Sequence, residues 1–340
     1  MTQHHTPGYQ ALVCTHFGSW RDLEIRRLER PVLQSGQVRI RVRHAGVGFA
    51  VGLFVSGKYQ RKPPLPFTPG TEASGEIIEC SPDVTHLQPG QRVVAALDWG
   101  AFAQETVIMA DTVYPVPDAL DLRLAAALPI TYGTAWGALI GRARLQAGET
   151  LLVHGASGAL GMAAVQIGRL AGARVIATAS TEAKRDAALA NGAHHVLPAE
   201  ATTLAAAVKQ LTGHTGIDVV FDPVGGDLFD ASLRCLAIEA RILIIGFAAG
   251  RIPETPSNLL LLKNASLIGY NYGQYIGWGL VDERRRYAGV LQPMLARMLT
   301  AFAIKQMPPP LTQHFDFSDW IQALDTTLSR RAIGKVVLDI

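Results

Sequence analysis

The chain has little cysteine: Cys14, Cys80 and Cys235 are the only three in 340 residues. They lie far apart in sequence, which excludes a disulfide framework and a cysteine-rich zinc lobe. No apolar run approaches the roughly 18 residues that a membrane helix needs. The opening MTQHHTPGYQ lacks the apolar core of a signal peptide. A cytoplasmic chain with no membrane partner is therefore expected. Charge of one sign is also missing, since the net charge is only +3 and the basic residues are dispersed. Arg39, Arg41 and Arg43 alternate with Val38, Ile40 and Val42 and read as one solvated strand face. Arg284, Arg285 and Arg286 form the only tight cluster. Neither is a nucleic-acid stripe, so no nucleic-acid partner is expected. Internal repeats and low-complexity segments are absent as well.

What is present suits two ordinary cores. Hydrophobic residues make up 49% of the chain and charged residues 17%, and the length suggests about two domains. Residues 10 to about 125 read as β-rich. Short runs (Ala11–Thr15, Val38–Val47, Ser74–Ile78, Arg92–Leu97, Thr106–Met109) are separated by Gly and Pro turns. From Leu124 the texture changes to alanine-rich helix and apolar strand, alternating to about residue 268. The spacing predicts a strand over Ile217–Phe221, a helix over Asp227–Ala237 and a strand over Arg241–Phe247. Such alternation predicts a parallel sheet. The closing Lys335-Val336-Val337-Leu338 again reads as strand.

The most specific pattern is TLLVHGASGALGMAAVQIGRLAGARVIATAS, residues 150–180. Thr150–Val153 is an apolar run long enough for a buried strand. Gly155, Gly158 and Gly161 follow at three-residue spacing. Leu160, Ala164, Ile167 and Leu170 then recur at helical period up to Gly172, and Val175–Ala179 is a second apolar run. Strand, glycine turn, helix and strand form one βαβ unit of a nucleotide-binding fold. Gly158 lets backbone approach a pyrophosphate and Gly161 lets helix approach strand. The free N–H groups at the helix start then bind the phosphate charge. The same spacing also suits a tight strand-to-helix turn that binds nothing.

Enzymes using NAD usually place Asp or Glu at the end of the second strand, on the ribose hydroxyl. Here that end reads Ala179-Ser180-Thr181, and Lys184 can reach a 2′-phosphate. Ser180 and Lys184 favour NADP, while Glu182 leaves NAD open. Ligands bind where parallel strands end at the switch point of such a sheet, so a cleft between the two domains is the expected active site.

Six further blocks carry a resemblance. GKYQRKPPLPFTPGTE (57–72), LPITYGTAWGAL (128–139), VHGASGALG (153–161), DPVGG (222–226), NLLLLKNASLIGY (258–270) and GKVVL (334–338) are ordered across nearly the whole chain. Together they resemble the zinc-independent quinone oxidoreductase branch of the medium-chain dehydrogenase/reductase superfamily. The resemblance implies an α/β protein: a GroES-like β-rich catalytic domain (1–127 and 269–340) and a Rossmann domain with a doubly wound parallel sheet (128–268). It also implies a homodimer and NADPH as hydride donor.

The zinc enzymes of that superfamily carry an early Cys and a Gly-His-Glu block. The equivalent blocks here read Ala45-Gly46-Val47-Gly48 and Gly70-Thr71-Glu72. Glu72 alone cannot hold a catalytic zinc, which needs about three protein ligands. His194 and His195 are read as loop neighbours and His4 and His5 as a frayed terminus, so no metal is expected.

By resemblance, Tyr59 lines the cofactor and substrate cleft and Thr134 packs near the nicotinamide; these two are the catalytic candidates. Ala156, Ser157, Gly158, Ala159, Leu160 and Gly161 would hold the pyrophosphate. Val224, Phe247 and Ala248 match loops that touch the adenosine and nicotinamide, Asn271 follows the last central strand, and Lys335 sits in the closing block. Relatives commonly show Asn and Asp in the motif that here reads Val47-Gly48-Phe49-Ala50-Val51-Gly52. Gly48 and Val51 therefore predict a roomier, more apolar pocket.

Without zinc, Tyr59, backbone N–H groups or solvent must meet charge on the acceptor oxygen. An acceptor that spreads charge fits such a site. A quinone is the first expectation. The second is an activated C=C bond (enone, enal or acrylate type), including a CoA thioester recruited by Arg284–Arg286. The third is an NADPH-binding protein with little turnover.

Overall fold

The computed structural model describes residues 8–340, so His4 and His5 lie outside the described residues. The chain forms two compact units, Met1–Ile130 with Gly273–Ile340, and Thr131–Tyr272.

The first unit is built on a seven-stranded sheet. Its main path runs Thr312–Asp316, Lys335–Asp339, Gln37–Val47, Glu72–Cys80, Arg92–Ala96 and Val113–Pro115, and Glu105–Met109 pairs with Gln37–Val47. Val38, Ile40 and Val42 point into the core, and Arg41 and Arg43 face out. Arg39 departs from the expected solvated face. Arg39 keeps its place in the alternation, since the register shift opposite Arg39 and Ile40 falls in the partner strand, which passes from Glu79 to Ile77. Arg39 is buried, with Nε 2.9 Å from Glu79 and Nη2 2.6 Å from the Pro31 carbonyl. A buried guanidinium is tolerable only with such partners.

The second unit is a six-stranded, wholly parallel sheet. Its order is His195–Pro198, Arg174–Ala179, Thr150–Val153, Ile217–Asp222, Leu236–Ile244 and Ser266–Gly269. By sequence rank this is 3-2-1-4-5-6, the doubly wound Rossmann order. Strands covered on both faces must be apolar throughout, and Leu151, Leu152, Val153, Val219, Val220 and Phe221 have no exposure. Each such side chain contributes about 1.5–3 kcal/mol of burial. Helices Ala159–Leu170, Glu182–Ala190, Ala201–Leu211 and Gly226–Ser232 connect the strands.

Two boundaries differ from expectation. The helix expected over Asp227–Ala237 stops at Ser232 and the next strand starts at Leu236. Ile217 N–H donates to the Cys235 carbonyl and Ile217 pairs with Leu236, so apolar residues in helical spacing were captured by the sheet. The strand expected to reach Phe247 ends at Ile244, because Ala248 N–H turns back to the Pro223 carbonyl. His195 opens a strand instead of lying in a loop. Among the described residues no helix is long and apolar enough to cross a membrane.

Candidate active site

In the second unit the parallel strands all release their loops at one edge. The first is the glycine loop after Thr150–Val153. His154 anchors it: the ring is fully buried, with one nitrogen 2.9 Å from Thr178 Oγ1 and the other 2.7 Å from Ser232 Oγ. Burial pushes its pKa down, so the ring is neutral. Gly155 turns with φ +62, and Ala156 N–H donates to the Thr178 carbonyl at 3.0 Å. A Cβ on Gly161 would sit 2.3 Å from the Gly155 carbonyl oxygen, so only glycine lets the helix lie on the loop. Gly158 is the N-cap and offers no side-chain cap. The first-turn amides of this helix are thus left with no side-chain acceptor at its positive end, which suits a phosphate.

Two more loops converge on it. Asp222, buried at the end of its strand, accepts from Val224 N–H at 2.7 Å and Gly225 N–H at 2.9 Å. Ala248 and Ala249 N–H donate to the Pro223 and Val224 carbonyls at 3.1 and 2.8 Å. A Cβ on Gly155 would lie 3.2 Å from Val224 Cγ2. The structure therefore brings Ala156–Gly161, Val224, Phe247 and Ala248 together. His154 and Asp222 escaped the sequence reading. Their signal was a polar residue at the end of an apolar strand.

Ser180 is exposed directly after Arg174–Ala179, and Lys184 lies one turn into the next helix, half-buried. Thr181 caps that helix, accepting from Lys184 N–H at 3.3 Å. Glu182 lies in the first turn, where a carboxylate is favourable without any ligand. Asn271 is exposed after Ser266–Gly269. Thr134 is half-buried on helix Thr131–Trp136. Gly133 and Gly137 let that helix run meet Tyr272 and Tyr270, since Cβ atoms there would lie 2.7 and 1.8 Å from the two phenol oxygens. The segment carrying Asn271 and the helix carrying Thr134 are neighbours.

Tyr59 and Lys335 belong to the first unit. Tyr59 is half-buried in an aromatic box. Its ring stacks on Phe54 at 4.2 Å and 30° and meets Trp278 edge-on at 6.3 Å and 82°. Trp278 is fixed by Nε1–H donating to the Leu97 carbonyl at 3.0 Å. Burial pushes the Tyr59 phenol up, so it stays protonated and can donate. Beside the box, Arg284 is buried with Nη2 2.7 and 2.9 Å from the two Asp98 carboxylate oxygens and Nε 2.9 Å from Asp282. Arg286 pairs with Glu283 at 2.7 Å. Arg284 and Arg286 are thus committed to carboxylates of their own unit, and Arg285 is exposed.

Lys335 and Glu72 form an ion pair with only 6% and 1% side-chain exposure. Ile130 N–H also donates to Glu72 Oε2 at 3.1 Å. The carboxylate left over from the Gly-Thr-Glu block is therefore already neutralised. A Cβ on Gly48 would face Lys335 Nζ at 3.8 Å, and Val51 is buried inside helix Ala50–Val55. Apart from its chain neighbours, a Cβ on Gly48 would meet that ammonium alone within 4 Å among the described residues, so there is space beside it. Trp278 and the Lys335–Glu72 pairing had no local sequence signal.

Two family patterns match the chain: "Alcohol dehydrogenase GroES-like domain" over residues 34–118 and "Zinc-binding dehydrogenase" over residues 159–291. The first names the β-rich unit, and the second falls largely on the Rossmann sheet. The bovine protein "Quinone oxidoreductase-like protein 2" is 36% identical over 98% of this chain and 93% of its own length. Human "Quinone oxidoreductase" is 34% identical over 81% of this chain and 83% of its own length. A mycobacterial structure complexed with NADPH superposes with TM-score 0.88 at 28% identity, over 98% of this chain and 100% of that one. With its GroES-like unit, its Rossmann sheet and this likeness over nearly its whole length, the chain belongs to the quinone oxidoreductase family of the medium-chain dehydrogenase/reductase superfamily and is an oxidoreductase.

Proposed function

We propose that the chain is an NADPH-dependent quinone oxidoreductase that passes hydride to its acceptor without a catalytic zinc. One observation carries this reading: an uncapped glycine-loop helix occurs in a chain whose Glu72 carboxylate is already held by Lys335 and Ile130 N–H. The cradle fits a dinucleotide, because Gly161 lets the helix lie against the Gly155 loop and, among the described residues, no side chain caps the helix at Gly158. Ala156–Gly161 hold the pyrophosphate, and Ser180 and Lys184 take the 2′-phosphate. Val224, Phe247, Ala248 and Asn271 line the adenosine and nicotinamide, and Thr134 packs beside the ring. Lys335 joins the cofactor set, its ammonium oriented by Glu72. NADPH, when bound, supplies the hydride. The protein's part is to orient, to exclude water and to meet charge on the acceptor. Tyr59 does the last, as a protonated phenol held in its box. A quinone spreads the developing charge, so one phenol donor suffices. The names of the bovine and human relatives and the NADPH complex of the mycobacterial structure support this reading. The free cysteines Cys14, Cys80 and Cys235 fit a reducing compartment such as the cytoplasm.

The test is NADPH oxidation after dialysis against a chelator, with 9,10-phenanthrenequinone, a benzoquinone and an enone as acceptors. The quinones are expected to show a kcat/KM at least about ten-fold above the enone, which is some 1.4 kcal/mol of transition-state preference. A faster enone would instead mark a reductase of activated C=C bonds. Activity that vanishes and returns with added zinc would overturn the zinc-free assignment.

Cofactor choice is tested at Lys184. Lys184→Ala is expected to weaken NADPH binding by about 1–2 kcal/mol, the scale of a hydrogen bond to a charged group, and to leave NADH unchanged. Equal losses for both, measured by fluorescence titration, would remove the 2′-phosphate role.

The assembly follows from an open edge. Among the described residues, Ser266–Gly269 ends the parallel sheet with one side unpaired, and Leu261 and Leu262 in the preceding helix are 76% and 72% exposed. Such an edge invites pairing, and a two-fold axis would cover it. A homodimer is expected by light scattering at micromolar concentration, and Leu261→Lys with Leu262→Lys should give a monomer. A monomeric parent chain would refute this.

A further inference from the structure

We propose that His44, His314 and Asp339 form a divalent-cation site, separate from the reaction site, of the kind that binds zinc. Three neighbouring strands build it. The antiparallel ladder sets Asp339 opposite His44, and the parallel ladder sets His314 opposite Val337. Side chains two residues apart share a sheet face, so all three converge on one face. Asp339 lies four residues along its strand from Lys335, roughly 13 Å at the usual rise. Nδ1 of His44 and Nδ1 of His314 stand 2.8 and 2.9 Å from the same oxygen, Asp339 Oδ1. The three candidate ligand atoms all lie within 4.8 Å of one another, and no other such cluster occurs among the described residues.

Hydrogen-bond bookkeeping at His314 points to a cation. Its Nδ1 is also 3.0 Å from Arg123 Nε. That N–H can only donate, so Nδ1 accepts it and carries a lone pair. The ring proton then sits on Nε2, 3.0 Å from Thr312 Oγ1, which accepts it. In this tautomer Nδ1 and Asp339 Oδ1 face each other as two acceptors 2.9 Å apart. In the other tautomer, Arg123 Nε–H faces a ring N–H. Either way one contact is unmade. A cation between the two imidazoles and the carboxylate removes that acceptor–acceptor contact; because Nδ1 has a single lone pair, Arg123 Nε–H then gives up His314 and Arg123 keeps its Nη2 hydrogen bond to Asp339.

The surroundings match a metal's outer shell. Thr312 orients His314, and Arg123 Nη2 donates to the second oxygen of Asp339 at 2.6 Å. The three side chains keep 15–22% exposure. His44 and Asp339 also line a surface cleft of about 580 Å³, which gives an entry path and room for a water ligand. Arg43, Arg92 and Arg123 line that cleft against Glu76, Asp121 and Asp339, so its charges balance. Two imidazoles and one carboxylate suit zinc or cobalt over magnesium or calcium.

The test uses the full chain carrying His4→Ala and His5→Ala, so that the terminal pair contributes nothing. After chelator dialysis it is titrated with Co²⁺ and then Zn²⁺. One equivalent per chain is expected, with visible Co²⁺ bands that Zn²⁺ displaces. His314→Ala and Asp339→Asn should each weaken binding by at least about ten-fold. The unmutated site is read independently: Zn²⁺ should shift the ring resonances of His44 and His314 in histidine-labelled protein. Binding well below one equivalent, undiminished affinity in a folded His314→Ala chain, or shifts confined to other histidines would each overturn the proposal.

Discussion

Tyr59→Phe is expected to lower quinone turnover by roughly 10–1,000-fold, the range for loss of one transition-state donor. The substitution is a clean probe because packing fixes the ring. Phe54 stacks on one face at 4.2 Å and Trp278 meets it edge-on, and phenylalanine keeps both contacts. Only the hydroxyl is lost. The sign of the pH effect follows from burial, which raises the phenol above its ordinary value near 10. A raised acid stays protonated to higher pH, so the parent rate should not fall through this group below about pH 10. NADPH affinity should stay within a few-fold. An unchanged rate in steady-state turnover would mean that Tyr59 only packs and that solvent or backbone meets the acceptor.

Lys335→Met is expected to destabilise the first unit by about 3–5 kcal/mol, the cost of stripping one partner from a buried ion pair. Glu72 has 1% side-chain exposure. Without Lys335 its carboxylate keeps only the Ile130 N–H as a partner. A lone buried charge is far costlier than a neutral pair of the same shape. Adding Glu72→Gln to Lys335→Met should therefore recover most of the loss, and the pair should show strong coupling in a double-mutant cycle. Urea unfolding of the four proteins checks this. A Lys335→Met chain as stable as the parent would show that the pair does not hold the unit together.

Which side chains meet across long sequence gaps was decided by sheet register. Trp278 comes onto Tyr59, and Lys335 onto Glu72, through ladders and crossings that no local pattern encodes. Arg39 keeps its place in the alternation, yet it is buried on Glu79 and the Pro31 carbonyl, where alternation alone would leave it in water. The arginines at 284–286 look like a patch in sequence, but Asp98 and Asp282 take up Arg284. Leu236 sits in helical spacing yet pairs with Ile217, because a sheet position buried on both sides outweighs weak helix propensity.

The chain by itself determined what rests on near neighbours: the strand Thr150–Val153, the glycine turn, the uncapped helix start at Gly158 and the parallel alternation that follows. These depend on side-chain period and on where a Cβ is tolerated, both of which act within a few residues. Tertiary structure alone decided the aromatic box around Tyr59, the neutralisation of Glu72 and the meeting of His44, His314 and Asp339. Those rest on registers between strands distant in sequence, where one residue of slip would send each side chain to the opposite face.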